Sequence, residues 1–125
     1  MKYTLGIDTG TTSVSIAVLS ESREVIDSIT VNHGAFIPGE FPESKVQSPE
    51  KILEIVMDSL ESLIQKYGQP SAIGLTGQMH GILYVNSQGQ SVSPLYTWQD
   101  VSGSIKVNGK SSIEILRENG MKCSA

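Results

Sequence analysis

A chain of 125 residues with 38% hydrophobic and 18% charged side chains has material for one packed core and too little length for two. Its net charge of −4 and pI near 5.0 point away from nucleic acid, and no run approaches the roughly 18 apolar residues of a membrane span. The single cysteine, Cys123, excludes an internal disulfide and has no Cys or His neighbour at metal-ligand spacing, and no apolar run before Asp8 could act as a signal sequence; a cytoplasmic protein is expected.

The chain opens with two apolar runs inside Tyr3–Leu19 that flank Asp8-Thr9-Gly10-Thr11-Thr12-Ser13, the layout of two β-strands joined by a tight turn with Gly10 free to take a positive φ. Glu24 to Asn32 reads as a third strand, which gives an antiparallel three-strand start. His33 to Val46 is a loop punctuated by Gly and Pro, whose Phe36 and Phe41 would cap the core or cover a cleft. A helix is predicted from Pro49 to about Tyr67. Ser48 is its N-cap and Pro49 its first residue; Ile52, Leu53, Val56, Leu60, Leu63 and Ile64 form one apolar stripe; Gly68 and Pro70 stop it.

Ala72–Thr76 reads as a short buried central strand, Gly81–Asn86 as another, and Leu95–Trp98 as a possible further one. Val101 to Ser112 is polar and irregular, and Ile113–Glu118 is a short helix ended by Gly120.

Three of these segments carry chemistry. In the first turn a carboxylate precedes a glycine and three hydroxyl side chains. Its N–H groups and the hydroxyls of Thr11, Thr12 and Ser13 suit a phosphate, and Asp8 suits a Mg²⁺ held directly or through water. The same residue types also serve plain hairpin turns. The turn is neither a Walker loop, having no Gly-Lys-Ser/Thr, nor a dinucleotide fingerprint. In Thr76-Gly77-Gln78-Met79-His80-Gly81 two glycines bracket an amide, a thioether and an imidazole at a strand end, a mixture suited to a polyhydroxylated ligand, although a histidine alone is as often structural. In Tyr96-Thr97-Trp98-Gln99-Asp100 the only tryptophan would either lie against a sugar ring or belong to the core.

Together and in this order, GIDTGTTSVSIAVL, GLTGQMHGILYV and LYTWQD resemble the N-terminal part of the FGGY carbohydrate kinases, over about Tyr3–Asp100. GQMHG is similar to the ketose-kinase branch, and TWQD to sedoheptulokinase. The resemblance implies an α/β, ribonuclease-H-like fold of the actin and hexokinase type, with a mixed sheet that begins as the three-strand meander. It implies ATP and Mg²⁺ as cofactors and a ketose, sedoheptulose- or xylulose-like, as acceptor of the γ-phosphoryl group. By position, Asp8 matches the metal-associated aspartate; Thr9, Gly10, Thr11, Thr12 and Ser13 the phosphate-facing loop; Gln78, Met79 and His80 the sugar segment; and Trp98 and Asp100 residues near the acceptor.

The sequence departs from the family in two respects. Val101-Ser102-Gly103 stand where an arginine is usual, and family members are far longer. Residues 1–125 therefore correspond to a partial N-terminal domain, with the general-base aspartate and the adenosine-binding domain beyond Ala125. Such a chain alone is expected to be inactive and to form a homodimer through surfaces the remainder would cover. A non-catalytic nucleotide- or sugar-binding module of the same superfold is the alternative.

Overall fold

Alternation of apolar and polar residues sets the architecture from the first strand onward. The structure, a computed structural model, describes residues 1–123. β1 (Tyr3–Thr9) and β2 (Ser13–Ser20) pair antiparallel, from Tyr3 opposite Ser20 to Thr9 opposite Val14, and β3 (Val25–Asn32) extends the meander. With a side-chain period of two, Tyr3, Leu5 and Ile7 of β1 and Val14, Ile16 and Val18 of β2 all point to one face, where each is buried.

β4 (Phe36–Ile37) and β5 (Val46–Gln47) follow as two short strands within the segment expected to be loop, and β5 leads into α1 (Pro49–Tyr67). Phe36 does not cap the core; it is largely exposed. The Ser48 side chain accepts the Lys51 N–H at 3.2 Å, a cap that contributes about 1 kcal/mol. Gly68 closes the helix at φ +80°, a conformation that strains any residue with a Cβ, and its N–H donates to the Ile64 carbonyl at 2.8 Å.

α1 lays Ile52, Val56 and Leu63 on the buried face of the hairpin. Each such side chain contributes roughly 1.5–3 kcal/mol by leaving water. Leu53, expected in that stripe, stands outside it and is 59% exposed. The far end of the helix is tied to β3, where the Lys66 ammonium and the Tyr67 hydroxyl both donate to Asp27 Oδ2 at 2.7 Å. The Lys66 bond, then the Tyr67 bond and the Ser28 N–H, lower the Asp27 pKa from 3.8 to about 2.

After the helix, β6 (Ala72–Gly77) runs parallel to β1, with Thr4 opposite Ala72 and Thr9 opposite Gly77. The sheet order is β3-β2-β1-β6, so β6 lies at an edge. The expectation of a buried central strand is corrected here: Ile73 and Leu75 are 51% and 74% exposed. Apolar content reports that a strand needs cover, without saying which part of a chain supplies it.

Gly81–Asn86 does not form a strand. It makes only single bridging pairs, Ile82 with Tyr96 and Val85 with Ser91. β7 (Leu95–Tyr96), to which Ile82 bridges, completes a small sheet of order β4-β5-β7. The polar segment after Asp100 is more regular than its composition suggests. It holds a 3-10 turn at Ser102–Ser104, and α2 (Ser112–Glu118) begins with a capping box between Ser111 and Glu114.

Candidate functional site

The β1–β2 connection is longer than the tight turn expected from the sequence. Since Thr9 faces Val14, four residues, Gly10 to Ser13, span the gap, and the Gly10 N–H donates to the Ser13 carbonyl at 2.9 Å. Gly10 is not among the positive-φ glycines; it serves by close approach, because a Cβ there would sit 3.2 Å from the Ser13 oxygen.

Every carbonyl of this turn is taken up by the protein. Gly10 O accepts from His33 Nε2 at 3.0 Å and from Gln78 Nε2 at 3.2 Å. Thr11 O accepts from Gln47 Nε2 at 2.6 Å, Thr12 O from the His33 N–H at 3.1 Å, and Ser13 O from Gly10. The Ala35 N–H donates to His33 Nδ1, which fixes the ring proton on Nε2. With its carbonyls held inward, the turn has its hydroxyl side chains left for a ligand; Thr12 is exposed and Thr11 and Ser13 are half-buried. Thr9 differs: its hydroxyl donates to the Thr76 carbonyl at 3.3 Å.

Asp8 lies on the sheet face opposite α1, in register with Ser15 on one side and Thr76 on the other. It is exposed, at one end of a depression of about 450 Å³ floored by Gly6, Ala17 and Gly74. Among the described residues no three His, Cys, Asp or Glu side chains gather around a metal position. One exposed carboxylate beside a turn with unengaged hydroxyls fits the way Mg²⁺ is bound with nucleotides, where one or two carboxylates join phosphate oxygens and water.

The second motif starts where β6 ends, at Gly77. There a Cβ would lie 3.1 Å from the Thr9 carbonyl and closer still to the Thr9 side chain. This close approach sets Gln78 against the turn. Its Nε2 also donates to Gln47 Oε1 at 2.9 Å, while its own Oε1 is buried without a protein partner. Met79 and His80 are exposed.

Gly81 packs on β7, with room for a Cβ only 3.2 Å from Leu95 Cδ1. Ile82 and Tyr96 exchange both backbone hydrogen bonds at 2.9 Å in an antiparallel pair. His80 and Trp98, two residues out on either strand, therefore leave the pair at the same end. Trp98 is 63% exposed, so it is not a core tryptophan within these residues.

Asp100 turns inward instead. Its Oδ2 accepts from the Lys45 N–H at 2.8 Å and the Ser102 hydroxyl at 3.0 Å, and its Oδ1 from the Ser102 N–H at 3.0 Å. Partial burial pushes its carboxyl up, but these bonds, the Lys45 N–H foremost, outweigh that and hold its pKa below the ordinary value. Both oxygens are thus engaged in fastening the segment after it.

The structure unites the turn, Asp8 and Gln78, and brings His80 and Trp98 to one end of a neighbouring pair. It also exposes two residues the motifs do not contain, His33 and Gln47, 2% and 0% exposed. Gln47 directly precedes the helix cap at Ser48, a position where a polar side chain looks like loop, and only its neighbour, the buried Val46, hints that the strand is inside.

A three-strand meander continued through a helix to a strand parallel with the first is the start of the ribonuclease-H-like fold shared by actin and hexokinase. The chain matches the N-terminal domain of the FGGY family of carbohydrate kinases over residues 3–116, and it belongs to that family. It is 29% identical over 109 residues to the xylulose kinase of Staphylococcus xylosus, covering 86% of this chain and 22% of that protein. It is 31% identical over 123 residues to the sedoheptulokinase of Mus musculus, covering 78% and 25%. The gluconate kinase of Lactobacillus acidophilus superposes with a TM-score of 0.76 at 22% identity over 95% of this chain and 23% of that one. The chain thus spans about a quarter or less of the length of these relatives. No helix among the described residues is long and apolar enough to cross a membrane.

Proposed function

We propose that residues 1–125 are part of the N-terminal domain of an ATP-dependent sugar kinase that transfers the γ-phosphoryl group of ATP to a hydroxyl of a ketose of the xylulose or sedoheptulose type. The observation that carries this reading is the β1–β2 turn: four carbonyls held inside, hydroxyls left outside, and Asp8 one residue before the strand end. The activities for which the xylulose and sedoheptulose kinases are named support the ketose, and the gluconate kinase supplies the competing acid sugar.

The hydroxyls of Thr11, Thr12 and Ser13 orient the phosphates, on a turn that Thr9 and Gly10 fasten through their bonds to Thr76 and Ser13, since positioning and charge neutralisation carry most of a phosphoryl transfer. Asp8 holds Mg²⁺, which when bound supplies positive charge to the phosphate oxygens. Met79, His80 and Trp98 offer an apolar wall, an imidazole and an indole face to the sugar, with Gln78 and Asp100 shaping that side from behind. The group that takes the proton of the attacking hydroxyl is proposed to lie outside residues 1–125, so this chain alone turns over no sugar. Self-association through the exposed β6 edge is part of the same proposal.

ADP release by the full-length protein, measured with MgATP and xylulose, sedoheptulose or gluconate in turn, tests the reading. Ketose-dependent release is expected. Release with gluconate alone would move the substrate to the acid sugars, and release with no sugar tried would overturn the kinase.

A further inference from the structure

Three polar side chains from three separate parts of the fold converge on one turn. His33 comes from the end of β3, Gln47 from β5 and Gln78 from the residue after β6. His33 and Gln47 are buried, and a buried amide or imidazole costs free energy unless its hydrogen bonds are made. An apolar side chain would fill either position without that cost. What the polar groups supply is donors: Nε2 of each points at a turn carbonyl, and Gln47 uses its other end to hold Gln78.

Carbonyl oxygens repel the oxygens of a phosphate, whereas backbone N–H groups and hydroxyls attract them. A glycine-containing turn of four residues has several conformations open to it, and only some turn the carbonyls away from an arriving anion. We propose that His33, Gln47 and Gln78 are positioning residues: together they hold the carbonyls of Gly10 and Thr11 inside the protein, so that the turn presents donors to the nucleotide. The proposal rests on the reading of this turn as the phosphate site.

It also assigns Gln78 a part different from a sugar ligand. Its amide nitrogen is committed to Gly10 and Gln47, so it hydrogen-bonds directly to the phosphate turn. Any shift of that segment when sugar binds would reach the turn through this amide.

The test uses the full-length protein and four variants. Gln47→Met and His33→Phe keep volume and remove the donors, Gln78→Met does the same at a half-buried position, and His33→Gln keeps a donor at the reach of Nε2. Steady-state kinetics give separate Michaelis constants for MgATP and sugar, and hydrogen exchange reports the amides of residues 10–13. Expected is a fall of about tenfold to a hundredfold in kcat/KM for MgATP in the first three variants. The sugar KM should stay within about twofold, exchange in the turn should be faster, and His33→Gln should recover most of the loss.

Equal loss toward both substrates, unchanged exchange at residues 10–13, or no rescue by His33→Gln would overturn the positioning role. If Gln47→Met fails to fold, Gln78→Met decides the question through the same contact with Gly10. Should the wild-type protein release no ADP with any sugar, the kinase reading fails, and with it the assignment of these residues to phosphate; exchange alone then shows whether they order the turn.

Discussion

Gly77 lies so close to Thr9 that a Cβ on it would sit 3.1 Å from the Thr9 carbonyl and collide with the Thr9 side chain. The two residues end parallel neighbouring strands, β6 and β1, and each leads directly into one of the two motifs that define the site. The distance between the Gly10–Ser13 turn and the Gln78–His80 segment is therefore set by the absence of a side chain at position 77.

Gly77→Ala should push these strand ends apart. Overpacking of this kind costs roughly 1–3 kcal/mol, and here it also strains the contact from Gln78 Nε2 to Gly10 O. Thermal melts of the Gly77→Ala and wild-type chains are the check. A melting temperature unchanged by the methyl group would show that the strand ends have slack.

The ion pair between Asp27 and Lys66 gives the fold a defined acid limb. Asp27 has its pKa lowered from 3.8 to about 2, first by the Lys66 hydrogen bond and then by Tyr67. The native state thus holds the proton less tightly than the unfolded chain. The stabilisation is complete above the ordinary carboxylate value and is lost as pH falls through about 2. Lys66, raised by the same partner, loses its share only as pH rises through the amine range. Urea melts between pH 5 and pH 2 should show a shallower loss of stability in Asp27→Asn than in wild type; parallel curves would remove the pair from the account.

β6 presents an unpaired edge with Ile73 and Leu75 exposed, and Met79, Ile82, Leu83, Tyr84 and Val85 continue an exposed apolar run beyond it. Strand edges recruit other strands, and contiguous apolar surface favours association. The 125-residue chain should self-associate at tens of micromolar, with a two-fold dimer the simplest closed form. Sedimentation velocity showing a monomer throughout that range would contradict this, and Leu75→Lys should weaken whatever association is seen.

Much of the fold is legible in the residues because local signals agree with tertiary need. The first three strands alternate cleanly, and Ser48, Pro49 and Gly68 bound α1 where the structure ends it. Gly81–Asn86 misleads because an apolar run states a demand for cover and nothing about partners. Leu95–Tyr96 pairs with β5, and a single bridging pair at Ile82 joins it to this run. In the site, Asp8 and the hydroxyl turn are visible from their spacing. His33 and Gln47 are not, because a buried polar residue whose partners are 23 and 36 positions away has no local signature.

His80 is exposed and leaves its strand pair at the same end as Trp98. In the full-length protein His80→Ala should raise the sugar KM by about tenfold, the equivalent of one lost hydrogen bond of roughly 1.4 kcal/mol. Its kcat should change little, because a side chain holding a spectator part of the substrate binds ground and transition states alike. Michaelis constants for sugar that match wild type would take His80 out of the site.

The Thr9–Ser13 turn and Asp8 are proposed as the phosphate and metal end of a kinase site. The direct measurement is the turnover of Asp8→Ala against wild type in the full-length protein, at saturating MgATP and sugar. Asp8 is exposed, outside the buried core, so the variant should fold and melt as wild type does. Loss of a group facing the charge that develops in phosphoryl transfer should lower kcat by about 10²–10³-fold, with the sugar KM nearly unchanged. A kcat equal to that of wild type would contradict the assignment of Asp8 and, with it, the reading of the turn beside it.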